Sequence, residues 1–97
     1  MGITIKNQKE IEAMRRAGHV VSVVHQRVAA AIQPGITTMD IDIIARDVFA
    51  EFNAGSSFLG HMGFPGRVCA SVNEEILHGI PGKRMLVDGD IISVDVG

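Results

Sequence analysis

An ionised carboxylate stands at Asp95 inside the run Ser93-Val94-Asp95-Val96, and burying it among β-branched neighbours is costly unless something offsets its charge. A divalent metal could do that. Alternation with Val94 and Val96 places Asp95 on the solvent face of a half-exposed strand, and spacing alone favours that reading over a metal ligand, since one carboxylate is a weak metal signal. His78 follows the apolar pair Ile76-Leu77 and precedes Gly79-Ile80-Pro81, a turn that presents the imidazole at a loop edge. There it can meet a substrate, or sit as a satisfied, partly buried histidine. Cys69, between Val68 and Ala70, reads as a small core or pocket residue, since a nucleophilic thiol needs a nearby base and a positive environment. His19 and His25 fall in a helical stretch, form no HExxH pair and read as structural.

The elements that must hold these groups are two helices followed by strands. Asn7 can cap a first helix, with Glu10 three residues on to return the bond. Ile11, Met14, Ala17, Val21, Val24, Val28 and Ile32 recur at helical spacing as one buried stripe, and Pro34-Gly35 stops the helix. A second helix starts at Thr37 or Thr38, with Asp40 in its first turn. Its predicted buried stripe is Ile41, Ile44, Ala45, Val48 and Phe52, and Gly55 is the predicted left-handed cap at its end. From Ser56 the period becomes strand-like, with runs at 67–72 and 91–96 broken by Gly, Pro and Asp-Gly turn signals. Helices first and strands after predict a single α+β unit over residues 1–97.

At 97 residues the chain has room for one small core. With no Trp or Tyr, that core must be built from Ile, Val, Leu, Met and Ala. The 9 basic and 11 acidic residues are scattered, leaving no basic stripe to follow a phosphate backbone, so no specific nucleic acid is expected as a partner. The most apolar stretch, 20–24, is far short of the roughly 18 residues a membrane span needs, so no membrane is expected either. A single cysteine forms no intrachain disulfide and fits a reducing compartment, by default the cytoplasm.

The stretch from Gly63-Phe64-Pro65-Gly66-Arg67-Val68-Cys69 through Ser71-Val72-Asn73 to His78-Gly79-Ile80-Pro81, followed by Asp88-Gly89-Asp90-Ile91 and Ser93-Val94-Asp95-Val96, resembles the type I methionine aminopeptidases. Ile5-Lys6, Ile11-Glu12, Met14-Arg15, Ala17-Gly18, Pro34-Gly35 and Asp40 agree with the opening helices of that family, so the resemblance covers the whole chain. It implies a pita-bread fold, two pseudo-symmetric α+β halves around a site with two divalent metals such as Co, Mn, Fe or Zn, of which this chain is the first half. It implies that Asp95 is a metal ligand and that His78 contacts the substrate near the scissile peptide, as a catalytic group. Phe64 and Cys69, with Phe58 and His61 nearby, would wall a pocket for the methionine side chain. The implied activity is removal of the initiator methionine from nascent proteins, with their N-terminal Met as partner.

Two departures qualify these expectations. His61-Met62-Gly63 stands where the family has Tyr-His-Gly, which leaves the substrate contacts at 61 and 62 open. The family's remaining ligands, a second Asp, a later His and two Glu, have no counterpart before Gly97, so the chain is expected to be a truncated enzyme, incompletely loaded with metal and inactive alone. The alternative is a non-catalytic pita-bread half that binds or self-associates. Half a shell should leave one apolar sheet face uncovered, which favours self-association and dye binding.

Overall fold

Both helix starts follow from local hydrogen-bond chemistry. The computed structural model describes residues 2–97. Helix α1 (Gln8–Ala31) is capped by Asn7, whose side chain accepts from the Glu10 amide at 2.8 Å while the Glu10 carboxylate accepts from the Asn7 amide at 3.1 Å. Helix α2 (Thr38–Glu51) repeats the device: the Thr37 hydroxyl accepts from the Asp40 amide at 3.1 Å, and Asp40 accepts from the Thr37 amide at 2.8 Å. Each box satisfies amides that the first turn leaves without partners and sets an acid against the positive end of the helix dipole. The turn between the helices passes through Gly35 at φ 103°, a left-handed conformation that glycine adopts without steric cost.

The stripe read for α1 is only half correct. Val24 and Val28 are buried and Val21 is half-buried, but Ile11, Met14, Ala17 and Ile32 are exposed. Helix α2 has 14 residues against the 24 of α1, so the N-terminal turns of α1 extend past the neighbour that would cover them. In α2 the buried set is Ile41, Ala45, Val48 and Phe49, with Ile44 half-buried; Phe52 is 41% exposed. Its end also differs from expectation. Asn53, not Gly55, takes the left-handed conformation at φ 52°, and the Ala54 amide reaches back to the Phe49 carbonyl at 2.8 Å. Asparagine tolerates that region better than most side chains, so the glycine was not needed there.

Strands β1 (Val68–Val72) and β2 (Ile92–Val96) pair antiparallel, with Val68 opposite Val96, Cys69 opposite Asp95 and Ala70 opposite Val94. Val68, Val72 and Leu86 join Val24, Val28, Ile41, Ala45, Val48 and Phe49 in the core, against which Ile92, Val94 and Val96 pack in part. The other face of β2 carries exposed Ser93 and Asp95, so the expected uncovered apolar sheet face is polar instead. Besides the exposed apolar residues of α1, the most uncovered apolar side chains near the sheet lie in loops: Met62 and Ile76 are 94% and 93% exposed, and Leu77 and Ile80 are exposed as well. Among the described residues no helix is long and apolar enough to cross a membrane.

Asp42 joins helix to sheet. Its carboxylate is 2% exposed and accepts from the Arg67 amide at 2.5 Å, the Val68 amide at 3.2 Å and the Arg67 guanidinium at 3.0 Å. These bonds offset the cost of burying the charge and fix where β1 begins. Asp42→Ala should therefore lower stability by about 2 to 3 kcal/mol, because two backbone amides lose their acceptor while the partly exposed guanidinium can still turn to water. Asp42→Asn keeps one acceptor oxygen and should lose less. Urea denaturation followed by circular dichroism measures both.

The segment after β1 is tied to the start of α2. Thr38 and Met39 amides donate to the Arg84 and Gly82 carbonyls at 3.1 and 3.0 Å, and the Thr38 hydroxyl accepts from the Gly82 amide at 2.8 Å. Leu86 exchanges backbone bonds with Gly35 and Ile36, both 2.8 Å long. Residues 82–86 are thus held to the helical layer, and the preceding loop, 74–81, is drawn back across the outer face of β1.

Candidate active site

The loop that follows β1 places His78. Its backbone sits at φ 56°, left-handed for a non-glycine residue, a conformation that costs on the order of 1 kcal/mol and persists only when neighbours enforce it. Gly79 provides the enforcement. Its carbonyl accepts from the Ala70 amide at 2.9 Å and its amide donates to the Ser71 hydroxyl at 2.9 Å, so loop and strand touch backbone to backbone. A β-carbon at 79 would stand 2.2 Å from the Ala70 carbonyl oxygen. Only glycine fits there.

Facing this loop, residues 57–66 fold into a tight turn with a single 3-10 segment at His61–Gly63, bounded by Gly60 and Gly63 in the left-handed region. The turn sets the Phe58 and Phe64 rings edge to face, with centroids 6.5 Å apart. Between turn and loop opens a cleft of about 500 Å³. Its walls include Phe58, His61, Phe64, Cys69, His78 and Asp95, the six residues proposed from sequence as candidate site residues, together with Met62, Gly63, Pro65 and Ile80. A cleft of similar size, about 540 Å³, lies where α1 and the end of α2 meet, lined by Arg15, Arg16, His19 and Phe52. Size therefore does not single out a site, and the second cleft too has a carboxylate, Glu12, and an imidazole, His19, in its lining; what the first cleft adds is the Cys69 thiol and the paired Phe58 and Phe64 rings.

Asp95 is exposed, on the outer face of β2 directly opposite Cys69. The solvent-face position and the cleft-lining position, alternatives at the level of sequence, are one and the same place. Cys69 is buried, and its thiol is held above the ordinary value of 9.0 by burial first and by the Asp95 carboxylate second. Both effects favour the neutral thiol, which suits a cleft wall better than a nucleophile. His19 lies outside the cleft, edge-on to Phe52 with centroids 5.6 Å apart, and His25 is exposed on α1.

The donor set does not by itself fit a two-metal centre. Asp95 is the single carboxylate of the cleft, and among the described residues no three His, Cys, Asp or Glu side chains come together as a metal site would require.

Several residues that hold the cleft had not been marked in the sequence. Gly79 could have been suspected from its place directly after the histidine. Asp42 carries no local signal, because its partners, the Arg67 and Val68 amides, are distant in sequence; Ser56 bonds the nearby Phe58 and Leu59 amides, a turn that the sequence admits, but its tie to the Arg67 carbonyl is visible only in the fold.

Residues 12–97, which carry the α2 helix, both strands and every residue of the cleft, match the model of metallopeptidase family M24. The chain belongs to that family. It is similar to the methionine aminopeptidase of Clostridium acetobutylicum, 51% identical over 96 residues, and to methionine aminopeptidase 1 of Bacillus subtilis, 47% identical over 95 residues. In each case 98% of this chain is aligned, but it spans only 38% of the relative. The crystal structure of methionine aminopeptidase from Thermotoga maritima superimposes with a TM-score of 0.93 at 38% identity, covering 96% of this chain and 38% of that one. That of Rickettsia prowazekii superimposes with a TM-score of 0.92 at 30% identity. The α+β arrangement is thus the one these enzymes share over the aligned region, and membership of a metallopeptidase family implies the use of a divalent metal.

Proposed function

We propose that this chain is the first half of a pita-bread methionine aminopeptidase, a single unit over residues 1–97, and provides the substrate-binding wall of its active site. The observation that carries this reading is the gathering of Phe58, Phe64, Cys69, His78 and Asp95 around one cleft in a chain of a metallopeptidase family. The Phe58 and Phe64 rings with Cys69 and Ile80 offer an unbranched thioether side chain an apolar slot, which suits the N-terminal Met of a nascent peptide. His61 stands at the same wall in place of the family's tyrosine and presents a polar ring to the substrate. His78, fixed by the Gly79 contacts, is the group that hydrogen-bonds the reacting peptide. Asp95 would supply one carboxylate to a metal centre completed by ligands outside this cleft; two divalent ions such as Co, Mn, Fe or Zn, when bound there, would supply Lewis acidity toward water and the peptide carbonyl. The remaining ligands come from outside the described residues. A cytoplasmic setting, without specific nucleic acid or membrane partners, fits the single reduced Cys69 and the scattered charge.

With one carboxylate in the cleft, the 97-residue chain alone should release no methionine from a Met-Ala-Ser peptide in excess Co²⁺ or Mn²⁺. Joined to the rest of the Clostridium acetobutylicum relative, in place of that protein's matching segment, it should support metal-dependent release. Activity that copurifies with a verified 10.4 kDa species, or a folded hybrid without activity, would count against the proposal.

A second reading is favoured by the exposed Met62, Ile76, Leu77 and Ile80, which crowd the cleft rim and the loop beside it. A chain that is not an enzyme would use them to self-associate or to bind a partner. Even under the first reading the isolated chain should self-associate and take up a hydrophobic dye. A monodisperse monomer by analytical ultracentrifugation, without dye binding, removes both the prediction and the second reading.

A further inference from the structure

The aromatic wall of the cleft is tied to the rest of the fold by the Ser57 amide, which donates to the Gly97 carbonyl at 2.9 Å, and by one hydroxyl, that of Ser56. Residues 53–67 contain no strand and only one short 3-10 turn; turn bonds close the loop on itself around 58–64, so the side chain of Ser56 is what links the entry to Phe58 with the exit at Arg67. Within it, the Ser56 hydroxyl accepts from the Phe58 amide at 3.0 Å and from the Leu59 amide at 3.2 Å, and donates to the Arg67 carbonyl at 3.0 Å. It thus uses its donor and both acceptor sites at once. Its acceptor side sets the direction in which the chain enters Phe58. Its donor side ends on the residue before β1, whose own amide is held by the buried Asp42 carboxylate at 2.5 Å. The connection therefore runs from helix α2 through Asp42, Arg67 and Ser56 to the Phe58 ring, which packs on Phe64 in the wall of the cleft.

We infer that Ser56 is a positioning residue for substrate recognition: it sets the width of the side-chain slot without touching the substrate. This rests on the proposed aminopeptidase reading for its kinetic consequence, though not for its structural one. Loss of the hydroxyl frees two amides and lets the Phe58 turn move, so the slot loosens. His78 and Asp95 are carried by other elements, the loop after β1 and strand β2, and keep their places. The loss should therefore fall on binding of the methionine side chain, a KM effect, while turnover of bound substrate stays close to normal.

The test uses Ser56→Ala and Ser56→Thr, the second of which retains a hydroxyl. In the hybrid enzyme described above, Ser56→Ala should raise KM for the methionyl peptide about fivefold or more with kcat within about twofold, and Ser56→Thr should restore most of it. An unchanged KM, or a fall in kcat at constant KM, overturns the inference. Hydrogen exchange on the 97-residue chain gives a reading that does not depend on catalysis. The Phe58 and Leu59 amides should exchange about tenfold faster in Ser56→Ala than in wild type, with the β1 amides unchanged. Equal exchange at 58 and 59 overturns the inference whatever the hybrid does. Faster exchange beside an inactive wild-type hybrid supports the positioning role and places the failure with the aminopeptidase reading.

Discussion

Gly79→Ala should destabilise this chain by about 3 kcal/mol or more, beyond the ~1 kcal/mol centre of ordinary substitutions and at the upper end of what overpacking usually costs. A β-carbon at that position would lie 2.2 Å from the Ala70 carbonyl oxygen, 2.7 Å from the Ala70 carbonyl carbon and 2.8 Å from the Ser71 α-carbon. All three are backbone atoms of the buried strand β1, so no side chain can rotate away to make room. Either the strand or the loop must move. If the loop moves, the Ala70 to Gly79 bond and the Gly79 to Ser71 bond both break, and the enforced left-handed turn at His78 relaxes. A urea midpoint well below wild type with an unchanged m-value is the expected result. Gly82→Ala is the control: a β-carbon there meets only the Ile80 carbonyl oxygen, at 3.9 Å, and should cost little.

The same geometry shows what the sequence could and could not reveal. Helix starts were legible because a capping box is local: Asn7 with Glu10 and Thr37 with Asp40 carry their whole signal within four residues. The strands were legible from their β-branched runs, to within one residue at their starts. Burial along α1 was not legible, because periodicity reveals which face is apolar and says nothing of how far the neighbouring helix extends to cover it. The exposure of Ile11 and Met14 depends on α2 being the shorter helix. The end of α2 was misread for a different reason. Asn53 and Gly55 both tolerate a left-handed backbone, and the hydrogen bond from the Ala54 amide to Phe49 selects the earlier of the two.

Within the site, the distinction between a metal-binding Asp95 and a solvent-facing one could not be drawn from spacing, since an exposed strand position can also line a cleft once a loop folds over beside it. That loop is placed by the contacts of Gly79 with Ala70 and Ser71 of β1 and by the ties of Gly82 and Arg84 to the start of α2, the latter made across more than forty intervening residues. The cleft residues themselves were found through resemblance to a family. Of the residues that position them, Gly79 is suggested by its place after His78, whereas the long-range bonds of Asp42 and Ser56 to Arg67 emerge only from the folded chain.

The roles assigned to Asp95 and His78 predict opposite signatures. Asp95→Asn preserves shape but removes the negative charge that a divalent ion requires in a partly desolvated cleft, so metal binding should weaken and activity should disappear. His78→Ala leaves the carboxylate in place, so metal stoichiometry should stay near wild type while turnover falls by roughly 10²-fold, the scale for removing one group that stabilises the reacting peptide or its proton transfer. The decisive measurement is calorimetric titration of Mn²⁺ or Co²⁺ into the hybrid enzyme and both variants, with steady-state release of methionine followed in parallel. The account predicts metal and activity lost together in Asp95→Asn, and activity lost without metal in His78→Ala. Full metal occupancy with retained activity in Asp95→Asn would contradict it.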